Sequence, residues 1–457
     1  MKKILGAMTL ALAGCATGPA YQVPSAPLPA QFKEAQGWQP AAPADLLEKG
    51  PWWELFGDAT LNELARQVEV NNQNVAAAAA RYAQARALVA EQRASLFPQV
   101  TLDASADRSG GGGQQRTGNQ YRVNIGGSWE PDVWGRLRAG VSGAQASAQA
   151  SAADLAAARL SAQGELAANY IGLRLADAQL ALLTETVEGY QRVLQITQNR
   201  VNAGVAPTSD LLQAQTQLAN ASADRLTTQR QRAQFEHAIA VLLGKAPADF
   251  ALAPAPWTLQ VPAIPVGLPS TLLERRPDIA AAERRVAAAN AQIGIARSAY
   301  FPSLSLSGSY GVAGSAAGGL FSASNTLWSL GLSAAQTLFN AGATGARVDQ
   351  ASAARDVAVA NYRQSVLDAL ADVENQLAAG NVLAQQQSLR ETSANSATQV
   401  EQQMLNRYRA GQVGYTDVVT AQVTALNARR ALLQTQADRQ SSAVALVQAL
   451  GGGWRQQ

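Results

Sequence analysis

Cysteine is almost absent. Cys15 is the one thiol in 457 residues, so no disulfide within the chain can staple it. Charge is scarce as well, with Asp, Glu, Lys and Arg making up 15% and aromatic residues 6%. The net charge of +3 is too small over this length for a nucleic-acid surface, and basic and aromatic residues are not interleaved as RNA binding requires. His237 is the only histidine and there are three methionines. That excludes the usual His/Cys zinc sites and leaves a dedicated soft-metal path without ligands. Gly244-Lys245 lacks the rest of a phosphate loop, and the Gly run at Gly110 reads as a surface loop. No catalytic constellation can be assembled, so neither enzyme activity nor a resident metal or small-molecule cofactor is expected. After the first residues there is no run of eighteen apolar residues free of charge, so any membrane crossing is not by a helix.

What is present begins at the N-terminus. "MKKILGAMTLALAGC" sets two lysines before an apolar run that is too short to span a bilayer. Residues 1–14 therefore read as a signal peptide. Leu12-Ala13-Gly14-Cys15 has the form of a bacterial lipobox, with cleavage before Cys15 and diacylglycerol and N-acyl lipid on the new terminus. Ala16 follows instead of Asp, which fits outer-membrane sorting. From Ala16 the chain is rich in proline (Pro19, Pro24, Pro27, Pro29, Pro40, Pro43), so residues 15–57 should form an extended, lipid-anchored leash.

The rest of the chain is written twice. "NRVNAGVAPTSDLLQAQ" from Asn199 returns as "NRYRAGQVGYTDVVTAQ" from Asn406, 207 residues later. "RASLFPQVTL" from Arg93 and "RSAYFPSLSL" from Arg297 are offset by 204, and "VWGRLRAGVSGAQAS" from Val133 aligns with "LFNAGATGARVDQAS" from Leu338 at 205. Three landmarks in one order at a nearly constant offset mean a tandem structural duplication. The first repeat covers residues 58–243 and the second 271–450, with a tail at 451–457. Between them, residues 244–270 carry six prolines, which forbid a helix there.

Each repeat reads the same way. A helix ends before Pro98 or Pro302, because the residue preceding proline is pushed out of helical geometry. Two alternating segments follow: Val100, Leu102 and Ala104 against Thr101, Asp103 and Ser105, then Tyr121, Val123 and Ile125 against Arg122 and Asn124. In the second repeat the alternation recurs around Leu304 and Leu306, then Trp328, Leu330 and Leu332. Period two with one apolar face is a strand. Next comes a proline-free helix from Arg138 to about Asn202, with Leu180, Leu183, Val187, Tyr190, Leu194 and Val201 on a heptad seam. Gly204 suits its C-cap, and Thr208, Ser209 or Asp210 after Pro207 offers an oxygen to cap a helix that returns to about Leu243. The quoted passage is thus the tip of a long helical hairpin, and the chain has two. Four strands cannot close a membrane barrel, whose smallest examples have about eight, and open edges cannot face lipid. Copies must share one. Two would give eight strands and three would give twelve, and the larger leaves room for passage.

"PWWELFGDATLNEL" at Pro51, "LLERRPDIAAAERRVAAANAQIGIARSAYFPSLSLSG" at Leu272 and the paired tips resemble the TolC/OprM-type outer-membrane efflux channels. Within them the chain is most similar to the lipoprotein branch serving resistance-nodulation-division pumps. The resemblance implies a homotrimer in the bacterial outer membrane, with a twelve-stranded β-barrel continuing into a long α-helical barrel through the periplasm. It implies a periplasmic membrane-fusion adaptor and an inner-membrane pump as partners, and passive export of small molecules such as drugs and toxic compounds. A protein-secretion duct and a non-conducting coiled-coil lipoprotein are the alternatives. Family channels close partly through a tyrosine bonded to a first-tip aspartate, positions matched by Tyr408 and Asp210, with Ser209 beside them. A family arginine that makes another latch is replaced by Val413. A constriction aspartate matches Asp417, and three such carboxylates would repel one another and attract cations. The implied adaptor-contact residues are Gly204, Val205, Ala206 and Pro207 with Gly411, Gln412, Val413 and Gly414.

Overall fold

The computed structural model describes residues 18–36, 51–110, 118–257, 260–262, 264, 266, 269 and 275–452. The signal peptide and Cys15 lie outside the described residues, as does the tail beyond Gly452. The chain forms two compact units, and neither is a repeat: one draws on residues 1–26, 80–152 and 280–365, the other on 27–79, 153–279 and 366–457.

The first unit holds the sheet. Strands β1 (Gln99–Ser109), β2 (Gly118–Trp129), β3 (Ser303–Gly314) and β4 (Thr326–Ala335) are antiparallel in the order β1-β2-β3-β4. Alternation and register agree across all four. Leu102 faces Ile125, which faces Tyr310, which faces Trp328, giving an apolar row on one face. On the other face Asp103 faces Asn124 and Ser309 faces Ser329, and serine and glycine dominate β3 there. The apolar face is not packed: Leu102, Trp328, Leu330 and Leu332 are each at least 70% exposed. Tryptophans brace the sheet's entry. Trp129 Nε1 donates to Leu96 O at 2.9 Å, and Trp134 donates to Pro302 O at 2.7 Å while stacking on Phe301.

The second unit is helical. A 3₁₀ turn at Trp52–Phe56 buries Trp52, Trp53 and Phe56, and Trp52 Nε1 donates to Gln163 Oε1 at 3.0 Å. Asp58 caps α1 (Ala59–Asn71) through Thr60 and Leu61 and also accepts from the Tyr170 hydroxyl at 2.6 Å. Burial, and then that bond, push the Tyr170 hydroxyl up to about 12. The single helix expected before Pro98 is in fact two. Asn72, buried, turns its Oδ1 onto the N–H groups of Asn74 and Val75 and its Nδ2 onto Leu242 O, which breaks α1 from α2 (Gln73–Ala94). The second repeat has the single helix α5 (Pro277–Ser298).

Four further helices build the hairpins: α3 (Arg136–Asn202) and α4 (Thr208–Leu242), then α6 (Ala343–Arg409) and α7 (Tyr415–Ala449). The long arms are 67 residues each, about 100 Å of helix, and the returning arms are 35. The α3 seam is buried at Leu183, Val187, Tyr190 and Thr197, while Leu194 and Val201 are half-buried and Val193, outside the heptad, is buried. Phe235 of α4 lies over Gly172 of α3, where a Cβ would sit 2.7 Å from the ring. The proline-rich linker is clamped by buried charge: Arg174 pairs with Asp177 at 2.9 Å, Arg232 with Asp177 at 2.7 Å, and both arginines donate to linker carbonyls at Ala253 and Leu252. Glu236 accepts Leu252 N–H at 2.7 Å.

Leu212, Leu226 and Val241 on α4 and Val357, Leu367, Val382, Leu389 and Val400 on α6 are exposed, and each set recurs on one side of its helix. Two glycines with positive φ separate backbone strain from steric clash. Gly204 (φ 73°) has open space where a Cβ would go, whereas at Gly244 (φ 67°) a Cβ would stand 2.5 Å from Asn71 O. Gly204→Ala is expected to destabilise by about 1–2 kcal/mol from φ alone. Gly244→Ala is expected to lower the thermal unfolding midpoint more, because the α1 terminus must also move.

Candidate functional site: the paired hairpin tips

Both tips are built by one local device. At the end of α3, Val205 N–H bonds to Arg200 O at 3.0 Å and Gly204 N–H to Val201 O at 2.9 Å. At the end of α6, Gln412 N–H bonds to Arg407 O and Gly411 N–H to Tyr408 O, both at 2.9 Å. Gly204 and Gly411 adopt φ of 73° and 72°, which satisfies the last carbonyls and reverses the chain without side-chain help.

The returning helices begin differently from expectation. Pro207 and Gly414 occupy the N-cap positions in extended conformation, and neither start has a side-chain cap. Thr208, Ser209 and Asp210 already lie inside α4, because proline takes the boundary position and has no oxygen on its side chain. Asp210 and Asp417 fall in the first turns of α4 and α7, where the helix dipole favours a carboxylate.

Four helices meet just behind the tips. Val193 of α3, Ala214 of α4, Tyr408 of α6 and Tyr415 and Val418 of α7 form a buried cluster, with Leu194, Leu405, Val413 and Val419 packed around it. The two tyrosine rings lie 5.4 Å apart. Tyr408 is 2% exposed, and its hydroxyl is 3.4 Å from Thr197 Oγ1. Within one chain its partner is therefore Thr197 on α3. No hydrogen bond to Asp210 forms among the described residues. Asp210 instead acts on Tyr415, whose hydroxyl is pushed well up, first by burial and then by Tyr408, Tyr190 and Asp210. Val413, in the position of the family arginine, is half-buried against this cluster.

The remaining tip residues divide by exposure. Gly204, Val205, Pro207 and Ser209 are exposed, as are Gly411, Gln412 and Gly414, while Ala206 is half-buried. Asp417 is exposed and edges an open groove of about 510 Å³ with Val400, Met404, Val413 and Thr420. His237 sits exposed on α4. Two residues that sequence reasoning missed are central here. Arg200 lays its guanidinium 4.5 Å over the Tyr408 ring and donates from Nη1 to Tyr408 O at 2.5 Å. Tyr415 is the other, and the duplication did mark it, since its counterpart in the first tip is Thr208.

Above the tips, ion pairs join the helices. Arg430 of α7 meets Asp224 of α4, and Arg429 of α7 meets Glu401 of α6, both at 2.8 Å. Burial raises the Glu401 carboxyl above its ordinary range, with Arg429 opposing and Glu185 of α3 adding to the rise.

The outer membrane efflux protein family matches this chain over residues 64–245 and 268–452. The cation efflux system protein CusC of Escherichia coli is 31% identical over 455 residues, 98% of each chain. The solvent efflux pump outer membrane protein SrpC of Pseudomonas putida is 33% identical, covering 97% of each. The solved outer-membrane channel OprN superposes with a TM-score of 0.89 at 32% identity, over 96% of this chain and all of that one. The open state of the MtrE channel of Neisseria gonorrhoeae gives 0.86 at 28% identity, over 96% and 98%.

Two outcomes follow from the tip geometry. Tyr408→Phe removes only a long hydroxyl contact and is expected to change stability by less than about 1 kcal/mol, whereas Tyr408→Ala is expected to lose roughly 3–5 kcal/mol. Limited proteolysis at the tips reads the difference. Folding raises the Glu401 pKa, so its contribution is fully favourable below the ordinary carboxyl value of 4.5 and is lost as pH rises through the folded value. Glu401→Gln should therefore flatten the fall in thermal unfolding midpoint with rising pH, measured against the native protein.

Proposed function

The chain belongs to the outer membrane efflux protein family and is an outer-membrane efflux channel, and from that premise we propose that three copies close a lipid-anchored duct through the outer membrane. One observation carries the proposal. The sheet order leaves β1 and β4 with one neighbour each, while the face bearing Leu102, Ile125, Tyr310 and Trp328 is apolar and the opposite face is small and polar. Backbone edges cannot face lipid, so the edges must meet those of other copies. Three copies give twelve strands, with the serine and glycine positions of β3 lining a lumen wide enough to conduct. The exposed apolar sides of α4 and α6 have the length and chemistry to pair with each other between copies, closing the helices into a tube.

The described part of the leash supports the anchor. Gly18 packs on Gly294, where a Cβ on Gly18 would stand 3.1 Å from the Gly294 Cα; Asn290 donates to Pro19 O, and the Tyr21 hydroxyl to Glu283. From Gly18 the segment thus runs antiparallel to α5, held by these contacts. In this reading lipid on Cys15 tethers the chain to the outer membrane.

In this reading the tips form the mouth on the periplasmic side. Asp417 lines its constriction, Tyr408, Ser209 and Asp210 belong to the gate, and residues 204–207 and 411–414 meet the periplasmic adaptor of an inner-membrane resistance-nodulation-division pump. The cargo is small molecules. Relatives are named for cations, solvents, toluene and antibiotics, and three methionines do not furnish a soft-metal relay.

The test is reconstitution of the purified, lipidated protein in planar bilayers. Expected are a mass of three chains, a small cation-selective conductance, and loss of that selectivity in Asp417→Ala. A folded, verified oligomer that never conducts would overturn the duct. Palmitate labelling that persists in Cys15→Ser would overturn the anchor.

A further inference from the structure

We propose that Arg200 ties the first hairpin tip to the second and sets how readily the tips part; this rests on the reading of the tips as the mouth of the duct. Arg200 and Thr197 stand three residues apart on α3, so both point from one face of that helix. Both engage Tyr408. Thr197 approaches the hydroxyl, while Arg200 covers the ring at 4.5 Å and bonds the main-chain oxygen at 2.5 Å. That oxygen already accepts the Gly411 N–H that reverses the chain, so Arg200 grips the element that forms the second tip. It also puts a positive charge at the C-terminal end of α6, where the dipole is negative. The contact bridges residues 208 apart in sequence and joins the two hairpins at their last turn.

The same arginine is incompletely satisfied. Its Nε is buried with no hydrogen-bond partner, and among the described residues no carboxylate pairs with it. Its neighbours in a groove of about 460 Å³ are Ile196, Val205, Gly411 and a second cation, Arg409. The contrast lies higher on the shaft, where Arg429 and Arg430 each have a carboxylate partner at 2.8 Å. A planar cation on an aromatic face makes a directional but modest contact, and separation would let water reach the buried Nε. Parting of the tips must break the Arg200 contact, whereas the Arg430–Asp224 pair joins the two hairpins higher on the shaft. The arginine that the second tip lacks at Val413 is in effect supplied from the first hairpin.

The test compares Arg200→Ala, Arg200→Met and Arg200→Lys with Arg407→Ala, the repeat-related arginine, whose side chain is exposed. Arg200→Met keeps the packing stem if Arg200→Ala fails to assemble. Conductance in planar bilayers is expected to rise several-fold in all three Arg200 variants, Lys included, because an ammonium cannot stack as a guanidinium does. Arg407→Ala should match the native protein. A second readout is the distance between spin labels at Val205→Cys and Gln412→Cys, which should lengthen in Arg200→Met. Unchanged conductance and unchanged distance in an assembled Arg200→Met trimer would overturn the proposal. No conductance from native protein or any variant would instead overturn the duct reading, whatever the spin-label distances show.

Discussion

Two free strand edges govern this molecule. β1 and β4 each present a row of backbone N–H and C=O groups that the chain itself does not pair, on a sheet whose other exposed surface is apolar. Water could satisfy those groups but would not tolerate the apolar face. Lipid would accept the face but not the groups. The proposed closure with further copies answers both demands at once, pairing the edges and leaving the apolar face to lipid. The unpaired apolar sides of α4 and α6 repeat the same condition in helical form.

Duplication supplies the parts, and divergence between the copies supplies the asymmetry. Both tips turn through the same glycine motif, and both returning helices start on a residue without a capping side chain. Yet the second tip buries two tyrosines where the first offers Val201 and Thr208, and the first contributes the arginine that reaches across. Similar backbones with unlike side chains let one hairpin act as the receiver and the other as the clasp.

Much of this was legible in the residues. Strand alternation, proline boundaries and the glycine C-caps are local signals, and they located the sheet and both hairpins closely. Tertiary competition decided the rest. Asn72 split a helix because its side chain found both the next backbone N–H groups and Leu242 O, a partner 170 residues away. Val193 of α3 is buried beside Leu194 because residues of four helices meet there and cover more of α3 than a two-helix seam would. Tyr408 bonded Thr197 and not Asp210 because the ring enters a four-helix core, and Arg200 escaped notice because its partners are a main-chain oxygen and a ring face, neither of which leaves a charge pattern in sequence.

The proline-rich connection between the repeats is more than a spacer. Its main chain is held by Arg174, Arg232 and Glu236, all of which belong to the first hairpin; the two arginines share the buried Asp177, and Glu236 pairs with Arg232. Cutting the gene at the boundary would leave the first half with a buried cluster of charges facing no backbone.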